Sequence, residues 1–388
     1  MSDLDTIRSY HPELTAIRRD IHAHPEIGFE ERRTSDLVAR ELEALGLEVH
    51  RNIGRTGVVG VLRRGNGGKR IGLRADMDAL PMDEQTNLPY RSQNPGRMHA
   101  CGHDGHTTML LGAARYLAAK GDFHGTVHFI FQPAEEGLGG AQAMLDDKLF
   151  ERFPCDFIFG MHNRPGLAVG KFMTRPGAMM AGGAFFDITV TGRGTHGARP
   201  EGGIDPVLTA CHITAAIQSI VSRTIAPTDT AVVSVTRIET ADAYNVIPQT
   251  AKIGGTARAF QGETMTAIEA SMKRLASGIA SGFGATAETD FRKLFAPTIN
   301  DDVQTADFLD AARAIVGPEN VDGDAPQNMA SEDFSAMLEV VPGAYLNIGN
   351  GTDTGSVGVH NPGYDFNDEA IPYGVAALAS IVERKLKP

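Results

Sequence analysis

The chain has 388 residues, 42% of them hydrophobic and 22% charged, and 36 Lys and Arg against 48 Asp and Glu leave a net charge of −12 with His neutral. That length excludes a small disulfide-stapled or metal-stapled domain and predicts about two or three domains, each able to bury its own core. An acidic balance without a Lys/Arg-rich block argues against a phosphate-tracking surface for nucleic acid and leaves small molecules as the expected partners.

From the N-terminus, the chain carries acids from Asp3 onward and no apolar signal core, so no secretory signal is expected. No stretch approaches the roughly 18 consecutive apolar residues of a membrane span. Leu14, Ile17 and Ile21 recur at helical steps between Pro12 and His24, and Leu37, Val38, Leu42 and Leu45 do so from Glu30 to Leu45, with Gly46 as a stop. Short apolar runs follow at Gly57 to Leu62, Arg70 to Ala75, Thr126 to Phe131 and Phe157 to Met161, with a helix predicted over Thr107 to Ala119. Strands joined by helices in this way predict an α/β fold, a mixed, mostly parallel sheet sandwiched by helices.

From about Gly182 the texture changes. Strand patterns at Phe185 to Thr191, Ala231 to Ile238, Ala251 to Phe260 and Ala285 to Phe291 alternate with helical ones at Pro206 to Val221 and Met265 to Ile279. This order predicts an inserted ferredoxin-like α+β domain over 182–295, interrupting an α/β domain made of 1–181 and 296–388. The outer domain resumes with a helix over Ala306 to Val316, a strand near Ala344 to Ile348 and a closing helix over Glu369 to Lys385. Cys101, Cys155 and Cys211 are an odd set at no repeating spacing, so a reducing cytoplasm is expected rather than a disulfide framework.

The densest chemistry lies at His99-Ala-Cys101-Gly-His103-Asp104-Gly-His106. A thiolate and an imidazole two residues apart on a Gly-containing loop can face one cation, and both suit Zn²⁺, Mn²⁺, Co²⁺ or Ni²⁺. The alternative is a helix N-terminus capped by Asp104 with solvated histidines. Glu135 and Glu136 follow the strand pattern Thr126 to Phe131, where open α/β sheets place ligand groups. Two adjacent carboxylates suggest a division of labour, one on a cation and one as general base. Asp76 and Asp78 follow a second strand pattern, His162 a third, and His360 stands in a Gly- and Asn-rich loop far downstream.

Together, LRADMDALP, HACGHDGH, PAEEG, GMH and the late HNPG resemble the aminoacylase/carboxypeptidase family of dinuclear metallohydrolases. The similarity is to the branch with hippurate hydrolases, N-acyl-amino-acid amidohydrolases and indoleacetyl-amino-acid hydrolases, and it runs nearly end to end. The resemblance implies a zinc-exopeptidase-like catalytic domain and two divalent ions held by Cys101, His103, Glu136, His162 and His360, with Cys101 as the bridging thiolate. It makes Glu135 the base that deprotonates a metal-activated water, so that the amide of an N-acyl amino acid yields a carboxylic acid and a free amino acid.

Asp78 is implied to orient a ligand, whereas Asp76 departs from the ligand pattern of more distant relatives. In 182–295, Gly194-Thr-His196-Gly resembles a loop whose histidine polarises the scissile carbonyl across a subunit boundary, and Asn245 with Arg258 resembles a pair that binds the substrate carboxylate. These features imply a lid and a homodimer through 182–295. Three rival readings are a metallo-dipeptidase or carboxypeptidase on the same site, a thiol hydrolase with Cys101 as nucleophile, and a metal-dependent binding protein that holds a ligand without turnover.

Overall fold

The structure is a computed structural model that describes residues 3–353 and 357–387. It divides into two compact units, Met1–Met179 with Ile299–Pro326 and Asp333–Pro388, and Met180–Thr298 with Gln327–Glu332. The short second stretch of the latter unit has no signature in the sequence pattern.

The first unit is built on an eight-stranded sheet. Its four central strands, Gly125–Gln132, Arg70–Asp76, Phe157–Pro165 and Gly343–Gly351, lie side by side and parallel. They read as nearly unbroken apolar runs because they are buried along almost their whole length, Gly343–Gly351 entirely so. Gly57–Arg64 and Glu48–Ile53 extend one side antiparallel, and Phe172–Met173 with Val321–Asp322 complete the other. Glu48–Ile53 escapes the sequence pattern because none of its residues before Ile53 is buried. Helices His103–Ala119, Ile371–Lys385 and Asp302–Val316 pack with the sheet around Leu73, Phe129, Phe159 and Phe308. Chain direction brings the carboxyl ends of the central strands to one edge, where Asp76, Gln132 and Arg164 end or nearly end them.

Helix His103–Ala119 begins four residues before the expected Thr107, and its entry residue Gly102 adopts φ 95°, open to glycine at little cost. Asp104 does not cap this helix. It is fully buried and faces helix His11–Ala23, which contributes the equally buried Arg18 and His22. Arg18 donates to Asp368 (2.7 Å) and Asp365 (3.0 Å), and stacks its guanidinium over Tyr90.

His22 pairs Nδ1 with Asp104 at 2.8 Å and Nε2 with Glu84 at 3.4 Å. Donation from both nitrogens requires the imidazolium. Burial pushes the His22 pKa down, but the bonds to Asp104 and Glu84 outweigh it and hold it at about 9. A raised pKa adds stability that is complete below the unfolded value of about 6.5 and is lost as pH rises through about 9. At about 1.4 kcal/mol per unit, the contribution is on the order of 3 kcal/mol. Replacing His22 with Gln, which cannot titrate, should therefore cost more at pH about 6 than at pH about 10. Urea unfolding of both proteins at the two pH values measures the difference, and an equal cost at both contradicts the imidazolium.

The second unit carries a four-stranded antiparallel sheet in the order Ala231–Glu239, Thr250–Ala259, Gly182–Thr191, Thr286–Phe295. Helices Pro206–Ile217 and Gly262–Gly282 cover it, and their Ile213, Ile217, Ile268 and Met272 meet Phe186, Ile188 and Ile253 in a separate core. Asp205 caps the first helix by accepting from Val207 and Leu208 N–H, with Pro206 in its first turn. The chain order strand–helix–strand–strand–helix–strand with this sheet order is the ferredoxin-like arrangement. Among the described residues no helix is long and apolar enough to cross a membrane.

Candidate metal centre

Six of the residues singled out in the sequence meet at the carboxyl edge of the large sheet. Cys101, His103 and His162 form one group whose donor atoms all lie within 4.8 Å of each other, and Cys101, Glu136 and His360 form a second. His103, Glu135 and Glu136 form a third. Cys101 is common to the first two groups, as His103 and Glu136 each link one of them to the third, and a thiolate so placed is suited to bridge. Its Sγ stands 3.3 Å from His162 Nε2, and His360 Nε2 stands 3.1 Å from Glu136 Oε1.

The imidazoles are preset by what their other nitrogens touch. His103 Nδ1 donates to the Asp78 carbonyl at 2.9 Å, and His162 Nδ1 donates to the Asn163 carbonyl at 2.6 Å. His162 Nε2 is thereby left as a lone-pair donor turned toward the common centre, whereas His103, whose pKa burial lowers but the Asp76 carboxylate raises well above the usual value, offers its Nε2 lone pair once a cation displaces the proton. Among the described residues the buried His103 Nε2 takes no hydrogen bond, and the buried Glu136 Oε1 faces only a ligand-type nitrogen, His360 Nε2, a costly state unless a cation meets them. Borderline thiolate, imidazole and carboxylate donors with unspent lone pairs fit a pair of first-row divalent cations. Burial first, and the Glu136 carboxylate second, push the Cys101 thiol well above its usual range. A bare nucleophilic thiolate is disfavoured there, since reactive cysteines sit in electropositive, accessible settings. Burial likewise lowers His162 to about 3, which keeps its ring neutral and able to ligate.

The acids of LRADMDALP have separate tasks. Asp76 is bonded by Arg74 Nη1 at 2.7 Å and His106 Nδ1 at 2.6 Å, and despite full burial the neighbouring His103 first, then Arg74 and His106, hold its carboxyl well below the usual range. Asp78 accepts the Glu135 N–H on Oδ1 and the Glu136 N–H on Oδ2, both at 3.0 Å, and Oδ1 lies 3.3 Å from His103 Nδ1. It touches one member of the centre and fixes the backbone of two more.

Three further residues support the centre, and of these only His106 stands out in the sequence, as part of the 99–106 motif. His106 accepts the Asn163 N–H at 3.0 Å, Asn163 Nδ2 donates to the Cys101 carbonyl at 2.6 Å, and Tyr364 OH donates to Asn163 Oδ1 at 2.8 Å. Gly102 sits inside this cage, where a Cβ would stand 2.5 Å from the Tyr364 hydroxyl oxygen. The alternative of solvated histidines fails at His99, His103 and His106, each about 2% exposed or less.

In the second unit, His196 ends the strand Thr195–His196, paired antiparallel with Val246–Ile247, and the Gly197 N–H donates to the Asn245 carbonyl at 2.7 Å. His196 and Asn245 are neighbours and both are exposed. The Ala198 N–H donates to His196 Nδ1 at 3.1 Å, so a neutral His196 carries its proton on Nε2. Arg258 lies on the strand Thr250–Ala259 opposite Gly183, a position where any Cβ would collide with its guanidinium. Its Nη1 donates to Ser331 at 2.7 Å, and no carboxylate among the described residues pairs with it.

The profile of peptidase family M20/M25/M40 matches residues 72–384. The chain is 44% identical over 376 residues to a hippurate hydrolase of Campylobacter jejuni, covering 97% of each. It is 39% identical over 386 residues to the N-acetylcysteine deacetylase of Bacillus subtilis, covering 98% of this chain and 99% of the other. Among solved structures, it superposes with a TM-score of 0.86 and 35% identity on a dinuclear metal-binding peptidase of the M20 family from Bacillus subtilis, covering 98% and 99% of the two chains.

Proposed function

Because the chain belongs to peptidase family M20/M25/M40, we propose that it is a metal-dependent amidohydrolase cleaving N-acyl amino acids, hippurate-like or acetyl and aryl-acetyl conjugates, to a carboxylic acid and a free amino acid. The observation that carries this reading is the pair of donor groups sharing Cys101, with Glu135 beside them in the third. Cys101, His103, Glu136, His162 and His360 would hold two divalent cations, Mn²⁺, Zn²⁺, Co²⁺ or Ni²⁺. When bound, such ions lower the pKa of a water and polarise a carbonyl oxygen.

The protein's own groups do the rest. Glu135, 7% exposed and fixed through its N–H to Asp78, takes the proton of the attacking water on its carboxylate and returns it to the departing amine nitrogen. His196 offers Nε2–H to the carbonyl oxygen as charge builds there. Arg258, short of a carboxylate of its own, and Asn245 hold the substrate carboxylate. Unpaired Cys101, Cys155 and Cys211 suit a reducing cytoplasm, where we place the protein.

A screen of hippurate, N-acetyl and indoleacetyl amino acids and free dipeptides tests the reading, with chelator-stripped protein refilled by each metal in turn. At least one refilled form should cleave the conjugates faster than the dipeptides, whereas the reverse preference assigns a dipeptidase. If untreated protein cleaves amides and no refilled form does, the metal mechanism is wrong. In the homodimer we assign to 182–295, His196 serves the centre of the other copy. Mixing Glu135→Ala with His196→Ala chains, each nearly inactive alone, should then restore activity, and its absence in confirmed mixed dimers excludes sharing.

A further inference from the structure

The loop that carries Glu135 and Glu136 has three successive amides, each tied to a buried carboxylate oxygen. Asp78 takes the second and third, at 3.0 Å each. The first, Ala134 N–H, donates at 2.8 Å to Glu31 Oε1. Ala134 itself has φ 52°, a left-handed conformation that a residue with a Cβ holds only when its surroundings fix it. Glu31 is 0% exposed, and its second oxygen accepts from Thr56 Oγ1 at 2.6 Å. Burial, partly offset by these bonds, raises its carboxyl to about 7.

The segment leading to Glu31 supports the same loop at other points. At Gly28 a Cβ would stand 2.9 Å from both Cα and Cβ of Ala134, so glycine is what permits this approach. Ile27 forms a bridge with Ala79, and the Ala79 N–H donates to the Glu26 carbonyl at 2.8 Å. One short stretch, Glu26 to Glu31, therefore grips both the turn bearing Asp78 and the turn bearing Glu135.

Taking Glu135 as the base and Glu136 as a cation ligand, we propose that Glu31 is a positioning residue whose carboxylate, through the Ala134 N–H, sets the direction in which Glu135 and Glu136 leave their loop. Thr56 holds the free end of that carboxylate. Glu31 makes no contact with substrate and contributes no donor to the centre. It fixes the backbone on the side that Asp78 does not reach.

The test uses full-length Glu31→Ala, Glu31→Gln and Thr56→Val. Gln keeps an oxygen for the Ala134 N–H and an amide that can donate to Thr56, so its kcat should stay within about threefold of wild type. Ala leaves that N–H unmet, and its kcat should fall about 10²-fold with KM within about threefold, the scale of a small misplacement. Hydrogen exchange of chelator-stripped protein supplies a readout independent of turnover. In Glu31→Ala the amides of 134–136 should exchange about tenfold faster or more, while those of the core strand Phe157–Pro165 stay unchanged.

Thr56→Val, which removes only the hydroxyl, should show the same local loosening in weaker form, and it carries the exchange test if Glu31→Ala does not fold. Unchanged exchange at 134–136, a rise shared equally with the core strand, or a folded Glu31→Ala retaining kcat overturns the proposal. If wild type cleaves no N-acyl amino acid, the functional reading fails, while the exchange result still decides the role of Glu31.

Discussion

Replacing Glu135 with glutamine should lower kcat by about 10²–10⁴-fold and leave KM within a few fold, the range that a positioned general acid–base group contributes. Gln matches Glu in shape, so the side chain keeps its place beside Glu136 and His103, and the Asp78 clamp on the backbone N–H is untouched. What disappears is the lone pair that accepts a proton from water and later delivers it to the amine. Metal content should remain at the wild-type level, because the five proposed ligands are intact. Steady-state kinetics with elemental analysis of the same sample checks both. A variant with full metal and activity within about tenfold of wild type would move the base to another residue.

Cys101→Ala should have the second largest effect, because it removes the one thiol of the centre, shared by the group with His103 and His162 and the group with Glu136 and His360. Loss of a single terminal ligand weakens one ion, whereas loss of the shared sulfur weakens both. The variant should hold less than two ions per chain after dialysis and lose nearly all turnover. In wild type, chelation should abolish activity and lower Tm, since a cation at about 100 times its Kd stabilises the native state by about 2.7 kcal/mol. Refilling should restore both. In Cys101→Ala the metal-dependent rise in Tm should shrink or vanish, as differential scanning fluorimetry would show. Two tightly held ions in this variant would contradict the shared-sulfur centre. Iodoacetamide inactivation of a chelator-indifferent enzyme would instead assign Cys101 as a nucleophile, against its burial and raised thiol.

The parallel strands are legible in the sequence because burial on both faces makes Leu73, Phe129 and Phe159 parts of continuous apolar runs. The centre is legible because ligand-type side chains cluster at the ends of those runs. What the sequence hides is pairing across distance. Nothing near Asp104 reveals that its partners are Arg18 and His22. Glu31, at the entry to the helix Arg32–Ala44, shows no sign that it reaches Ala134. The difference between Asp76 and Asp78 is also invisible locally: alternate residues could serve either purpose, and only the placement of Arg74, His106 and the two loop amides separates them. The first turn of the helix His103–Ala119 eludes periodicity because glycine at 102 and 105 reads as loop, although Gly102 is the left-handed residue that lets the helix start at His103.

Anomalous scattering from crystals of Mn²⁺-loaded protein, measured on both sides of the metal absorption edge, addresses the central claim most directly. The expected result is two peaks per chain, with Cys101 Sγ between them and His103, Glu136, His162 and His360 completing their coordination. A single peak, or peaks away from these five side chains in a catalytically active crystal, would contradict a shared dinuclear centre.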